Sequence, residues 1–290
     1  MTVLTGKKIC MPKPCVLAVG KFECFHLGHK ALVAKMMKYG CGLASALVVF
    51  EPHPNRVLVN PGYKPLFVDN EREYLARELG VDYLLKYPFD KQFAAIPPED
   101  FCHMLFSELQ ARVVVVGAGY RFGYKRAGTI DTLRMIASEY GAQVKVAALC
   151  GVGDTEAKIS TSTIRELLCL NKLGEAESLL GYPFFLMGNV EPGWQLGCAS
   201  DMPTIKLYPC DDKFLPPDGV YDTRVCVDGH IYTGVTDVGT RPAMDGIEGA
   251  RIVETHIHDC ENGVPYDLLT RGQLPYGQWV RVEFIRFVRP

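Results

Sequence analysis

Gly20-Lys21-Phe22-Glu23-Cys24-Phe25-His26-Leu27-Gly28-His29 sets two imidazoles three residues apart around a glycine. Residues 15–19, just before it, are apolar and short, as a buried strand should be. After it, Leu32, Val33, Met36 and Met37 recur at helical spacing, and Gly40 supplies a stop. The stretch therefore reads as a strand turning into a helix, with His26 and His29 on one face of the first turn. Unpaired backbone N–H groups and the positive end of the helix dipole make such a turn a place to hold phosphate. With 7 His and 28 Gly in 290 residues, chance supplies H-x-G-H only about 0.02 times. The rival reading, a metal pair, needs a third ligand, whereas the preceding strand and the glycine favour phosphate.

Outward from this motif, the first 180 or so residues alternate short apolar runs with helical patterns, the signature of a parallel sheet covered by helices. Strands are expected over 15–19, 46–50, 83–87, 113–117 and 144–149, and helices over 70–78, 99–109, 130–140 and 163–170. Asn70 with Glu73, and Thr163 with Glu166, have capping-box spacing. After Gly181-Tyr182-Pro183 the texture changes: 225–232 reads as a hairpin around Asp228-Gly229, and 279–288 alternates like a half-buried strand. The expected division is 1–183 and 184–290, the second part an antiparallel barrel or sandwich.

Thirty-one basic against 33 acidic residues leave a net charge of −2, which argues against general attraction to nucleic acid or an anionic membrane. There is no apolar run of membrane-spanning length, and Lys7, Lys8 and Lys13 interrupt the apolar residues of the N-terminus, so no signal peptide is read. The 11 cysteines are odd in number, include no C-x-x-C, and several sit in apolar or helical runs, which favours free thiols in a reducing cytoplasm over a disulfide framework. The sequence sets no oligomeric state.

Three further segments point at phosphates. Phe50-Glu51-Pro52-His53-Pro54 ends a central strand, and its prolines would hold His53 near the carboxyl edge where ligands of open α/β sheets bind. Gly117-Ala118-Gly119-Tyr120-Arg121-Phe122-Gly123-Tyr124-Lys125-Arg126 follows another strand, with glycines that admit close backbone approach and cations that suit an anion; a solvated basic loop is the plain alternative. Ser160-Thr161-Ser162-Thr163 opens a helix with more hydroxyls than one cap needs, and Arg165 adds a planar fork for phosphate oxygens.

G-x-F-x-x-x-H-x-G-H, F-E-P-H-P, the glycine and arginine loop, and I-S-x-x-x-I-R, in this order, resemble the bacterial riboflavin kinase/FMN adenylyltransferase family over nearly the whole chain. The resemblance implies a Rossmann-like nucleotidylyltransferase domain followed by a smaller antiparallel β-barrel of riboflavin kinase type. It implies transfer of AMP from ATP to FMN, giving FAD and pyrophosphate, with Mg²⁺ accompanying ATP. His26 and His29 would hold the ATP phosphates together with Gly20, Phe22, Gly28, Ser160 to Thr163 and Arg165, while His53, Tyr120, Arg121 and Phe122 would lie on the flavin side. In the second half, Thr204 would attend Mg-ATP and Glu254 would act as general base toward the riboflavin hydroxyl.

The chain departs from the family pattern at several points. Lys21-Phe22-Glu23-Cys24 stands where the family has N-F-D-G, and Gly119 where its loop carries Asp or Asn. Met202-Pro203-Thr204-Ile205-Lys206 stands against G-F-P-T-A-N, with Asp201 in the glycine's place and Lys206 for the asparagine, and a cation cannot ligate Mg²⁺. The family continues past its final strand into a C-terminal helical segment, whereas this sequence stops at Arg289-Pro290, so either the tail has been removed or the kinase half is reduced. The expectation is FAD synthesis with weakened riboflavin phosphorylation; a nucleotidylyltransferase for another phosphate acceptor, or a flavin- or nucleotide-binding regulator, are the alternatives.

Overall fold

Cys15-Val16-Leu17-Ala18-Val19 is buried along its whole length, as a strand covered on both faces must be. In the computed structural model, which describes residues 1–40, 42–147, 159–190, 204–240, 251–260 and 279–290, this run is the second strand of an all-parallel sheet. The strands are β1 (Thr2–Thr5), β2 (Cys15–Val19), β3 (Ala44–Glu51), β4 (Tyr83–Pro88), β5 (Ala111–Gly117) and β6 (Gln143–Ala147). Their order is β1-β4-β3-β2-β5-β6. The chain thus runs from β2 through β3 to β4 on one side, then crosses to β5 and β6 on the other. That reversal opens a crevice beyond the carboxyl ends of β2, β3 and β5.

The helices of this unit are α1 (Leu27–Tyr39), α2 (Pro54–Leu58), α3 (Asp69–Glu78), α4 (Lys91–Ala94), α5 (Pro98–His103), which continues into a π turn over Met104–Glu108, and α6 (Ile130–Glu139). α1 buries Leu32, Val33 and Met36, as its spacing requires, and ends at Gly40; Met37 is instead 40% exposed, one position past the buried stripe. α3 begins earlier than the capping-box spacing indicated. Glu71 Oε2 accepts from the Val68 N–H at 2.9 Å, and Glu73 is spent on Lys86 Nζ at 2.6 Å. The edge strand β1 escapes sequence reading because it is short and only partly buried; its partner β4 supplies the ladder that fixes it.

Packing divides the chain into Met1–Ile159 and Ser160–Pro290. The second unit begins with α7 (Thr161–Cys169) and α8 (Leu173–Leu180) and continues as β7 (Phe185–Asn189), β8 (Thr204–Leu207), β9 (Gly219–Val227), β10 (His230–Thr240), β11 (Arg251–Cys260) and β12 (Trp279–Arg289). These strands form an antiparallel sheet in the order β7-β12-β9-β10-β11-β8. The expected hairpin is present: Asp228 and Gly229 take φ of 47° and 84° between β9 and β10, the left-handed pair that matches strand twist. Strict alternation along β9 buries Gly219, Tyr221, Thr223, Val225 and Val227. Threonine hydroxyls cross this interior in a chain, Thr223 to Thr236 at 2.8 Å and Thr236 to Thr255 at 2.7 Å, so each buried oxygen is satisfied. α8 packs against β12, and its buried Leu173, Ala176 and Leu180 account for that contact. Residues 193–197, Asp201, Met202, Pro203, Arg241 and Pro242, together with the last part of the 144–149 strand, lie outside the described residues.

Candidate active site

β2 ends at Val19, and the chain then needs seven residues to enter α1. That connection is strained: Phe22 and Phe25 have φ of 41° and 39°, costly for residues with a Cβ. Both rings are fully buried and stack at 5.4 Å, and this burial holds the loop in its unusual backbone. A Cβ on Gly20 would stand 3.0 Å from the Phe22 ring, so the strand exit has little room for a side chain. Phe22 therefore acts beneath the site: its ring lies 5.0 Å from that of His29 and props the imidazole.

His26 is the N-cap of α1, and its Nδ1 accepts from the His29 N–H at 3.3 Å. An accepting Nδ1 leaves Nε2 of a neutral ring as the N–H donor. The His26 and His29 rings stack with centroids 3.8 Å apart and planes 16° from parallel. Burial, with the neighbouring His26 adding to it, holds the His29 imidazole well below the usual histidine range, so His29 is neutral at physiological pH. Its Nδ1 is buried and has no hydrogen-bond partner among the described residues. Gly28 lies between them because a Cβ there would come within 3.1 Å of the His26 ring. The first N–H groups of α1 complete a short array of donors at the helix's positive end.

The exit of β3 is tied to that of β2. His53 caps α2, accepting at Nδ1 from the Asn55 N–H at 3.2 Å, and its Nε2 lies 3.2 Å from Glu23 Oε2. Glu23 also accepts from the Tyr63 hydroxyl at 2.6 Å and from the Leu66 N–H at 2.9 Å. Tyr63 stacks on the His53 ring at 5.0 Å. Both ring nitrogens of His53 are thus directed at protein groups, and the residue braces two loops. Sequence reading missed this role of Glu23, because Tyr63 and Leu66 are 40 and more residues away and carry no motif.

After β5, Tyr120 and Phe122 stack at 5.6 Å, and Phe122 rests on Phe101 at 5.4 Å. Burial pushes the Tyr120 phenol far above its ordinary range. Arg121, between the two rings, is exposed, as are Lys125 and Arg126. A Cβ built on Gly119 meets nothing within 4 Å, so the position has space for the Asp or Asn of the family pattern. β3, β2 and β5 are neighbours in the sheet, and the crevice therefore gathers His26, His29, Gly20, Gly28, His53 and the 120–126 loop.

Ser160 to Arg165 belong to the second unit. The cap of α7 is Ser160, whose Oγ accepts from the Thr163 N–H at 3.1 Å, three residues before the expected cap at Thr163. The Thr163 hydroxyl is paired with Ser160 Oγ at 2.9 Å, while Ser162 is exposed. The Arg165 guanidinium lies over the Phe214 ring, 4.8 Å from its centroid.

In the antiparallel sheet, β8 and β11 set Lys206 opposite Glu254 and Thr204 opposite His256. Lys206 Nζ approaches Glu254 Oε1 to 3.7 Å, and Thr204 Oγ1 lies 3.0 Å from His256 Nδ1. A fixed ammonium at this distance from the carboxylate fills the place of a cation, and these residues do not fit a bound Mg²⁺. Among the described residues, no group of three or more His, Cys, Asp or Glu is arranged to hold a metal.

The fold is that of a Rossmann-like α/β domain followed by an antiparallel β domain. The FAD synthetase family pattern matches residues 8–163 and the riboflavin kinase pattern residues 180–290, and the chain belongs to this family. The bifunctional riboflavin kinase/FMN adenylyltransferase of Escherichia coli K12 is 33% identical, over 95% of this chain and 84% of its own length. The enzyme of the same name from Listeria monocytogenes is 29% identical over 95% and 84%. A crystal structure of a macrolide-efflux protein from Streptococcus pneumoniae superposes with a TM-score of 0.78 at 25% identity, covering 100% of this chain and 91% of that one. No helix among the described residues is long and apolar enough to cross a membrane.

Proposed function

We propose that this chain makes FAD by adenylyl transfer from Mg-ATP to FMN. An FMN phosphate oxygen attacks the α-phosphorus of ATP, the bond to the β,γ-pyrophosphate breaks, and no enzyme nucleophile intervenes. The protein's share is alignment of two anions and stabilisation of charge at phosphorus. The observation that carries this reading is the α1 N-terminus at the sheet's switch point, where the His26 ring and the neutral His29 ring stack over the first turn of the helix. His26, His29, Gly20, Phe22 and Gly28 would hold the ATP phosphates. Tyr120 and Phe122 offer stacked rings to a flavin, with Arg121 exposed between them.

The Lys206–Glu254 approach favours a second statement, that riboflavin phosphorylation is weak. The Lys206 ammonium stands beside the carboxylate that would have to reach the substrate hydroxyl. The cysteines among the described residues are free, which supports a reducing, cytoplasmic setting. Incubating the full chain with Mg-ATP and either FMN or riboflavin, and separating products by chromatography, tests both statements. FAD and pyrophosphate from FMN, with little FMN from riboflavin, is the expected result. Absence of FAD would overturn the transferase reading, and rapid riboflavin phosphorylation would overturn the second.

A further inference from the structure

β8 and β11 set two polar pairs on one face of the antiparallel sheet. Thr204 and Lys206, two residues apart on β8, stand opposite His256 and Glu254 on β11. Their strand neighbours Ile205, Leu207, Val253 and Thr255 point to the other face and are almost wholly buried. On the next strand, Asp237 of β10 stands opposite Glu254. The Lys206 ammonium is thus aligned with two carboxylates across three strands.

Lys206 is not a loose surface lysine: its side chain is 16% exposed, and that of Glu254 10%. The 3.7 Å between Nζ and Oε1 is an ion pair that counters the carboxylate's charge in place. Mg²⁺ binds through oxygen donors, commonly a carboxylate together with the phosphates of its nucleotide. At the family's asparagine position this chain supplies an ammonium, which has no lone pair to give and repels a divalent ion. The hydroxyl beside it is turned to a ring, with Thr204 Oγ1 3.0 Å from His256 Nδ1. A nucleotide arriving without its metal would bring its phosphates against Glu254 and Asp237, with one ammonium to offset them.

We infer that Lys206 is the resident cation of the second unit, that it excludes a divalent ion from β8 and β11, and that this unit takes no Mg-nucleotide. The chain then holds one Mg-nucleotide, at the α1 turn, although its two family patterns would give two. This rests on the weak riboflavin phosphorylation stated above and deepens it, because it assigns the loss to the binding of nucleotide.

The test titrates ADP with Mg²⁺ into the full chain by calorimetry and maps the bound metal. For the mapping Fe²⁺ replaces Mg²⁺, since with ascorbate and peroxide it cuts the backbone beside it. The parent should bind one ADP, with no cut near 204–206 or 254–256. Asp201→Gly alone should still bind one, whereas Asp201→Gly with Lys206→Asn should bind two and be cut at those segments. Two ADP on the parent, or a second site on Asp201→Gly alone, would overturn the inference and leave weak riboflavin phosphorylation standing. So would a double variant, folded by circular dichroism, that binds one. A parent that binds none, with a double variant that binds one and is cut at 204–206, would sustain the inference and overturn the ATP site at α1. One ADP on the parent with cuts at 204–206 would overturn both. The parent result decides the inference even where a variant misfolds.

Discussion

Glu23 Oε2 lies 3.2 Å from His53 Nε2, so a carboxylate from the exit of β2 meets an imidazole from the exit of β3. Both side chains are almost wholly buried, at 3% and 2% exposure. A carboxylate in that setting is stable only when its oxygens are satisfied, and Tyr63 and Leu66 complete the set. The glutamate that departs from the family's aspartate is thus the centre of a brace between two site loops.

Removing that brace should destabilise the first unit more than it alters surface charge. Glu23→Ala removes the acceptor of the Tyr63 hydroxyl and of the Leu66 N–H, a loss of about 1–3 kcal/mol for each buried donor left behind. Glu23→Asp, one methylene shorter, should lose part of it. Urea unfolding of the two variants measures the order; equal stability to the parent would assign Glu23 no bracing role.

His29→Ala should cut FAD formation by about 100-fold with the fold intact, since one preorganised donor is worth about 3 kcal/mol. Steady-state rates with circular dichroism as the control decide it. Near-normal turnover would remove His29 from the chemistry.

The depressed His29 pKa has a stability consequence with a definite sign. Above the ordinary histidine range of about 6.5, folded and unfolded states both carry a neutral ring and the residue makes no pH-dependent contribution. As pH falls below that value, the unfolded chain binds the proton first, so stability is lost on acidification. Melting between pH 7 and 5 should fall more steeply for the parent than for His29→Gln. Parallel slopes would show that the ring titrates normally.

Lys206→Asn, combined with Asp201→Gly, should raise riboflavin phosphorylation, because it frees Glu254 from its ammonium and returns an oxygen donor beside Thr204. Product formation from riboflavin and Mg-ATP reports it. Activity unchanged from the parent would mean that these two positions do not limit the kinase reaction.

A fragment of residues 1–183 separates the texture boundary from the packing boundary. We expect it to melt cooperatively, with hydrogen-exchange protection strong in β2 to β5 and much weaker over 161–180 than in the full chain, because α8 buries its apolar face on β12. Full protection over 161–180 in the fragment would place both helices with the first half.

The H-x-G-H strand-to-helix turn, the parallel sheet and the Asp228-Gly229 hairpin were legible from the sequence, because each is written in local terms: hydrophobic period, glycine position and turn chemistry. Lys206 was equally visible as a cation in a metal-binding motif. The sequence alone therefore determined the two kinds of layer and where the strand-to-helix turn and the hairpin fall. Tertiary structure decided what those segments do to one another. Only the strand order β3-β2-β5 brings three separate loops to one crevice. Only the register of β8 on β11 turns Lys206 toward Glu254. Glu23 finds Tyr63 and Leu66 across a stretch with no periodicity to announce it, and Lys21 meets Asn55 across the exits of two strands. Such pairings depend on burial, desolvation and through-space distance, and no local pattern encodes those quantities.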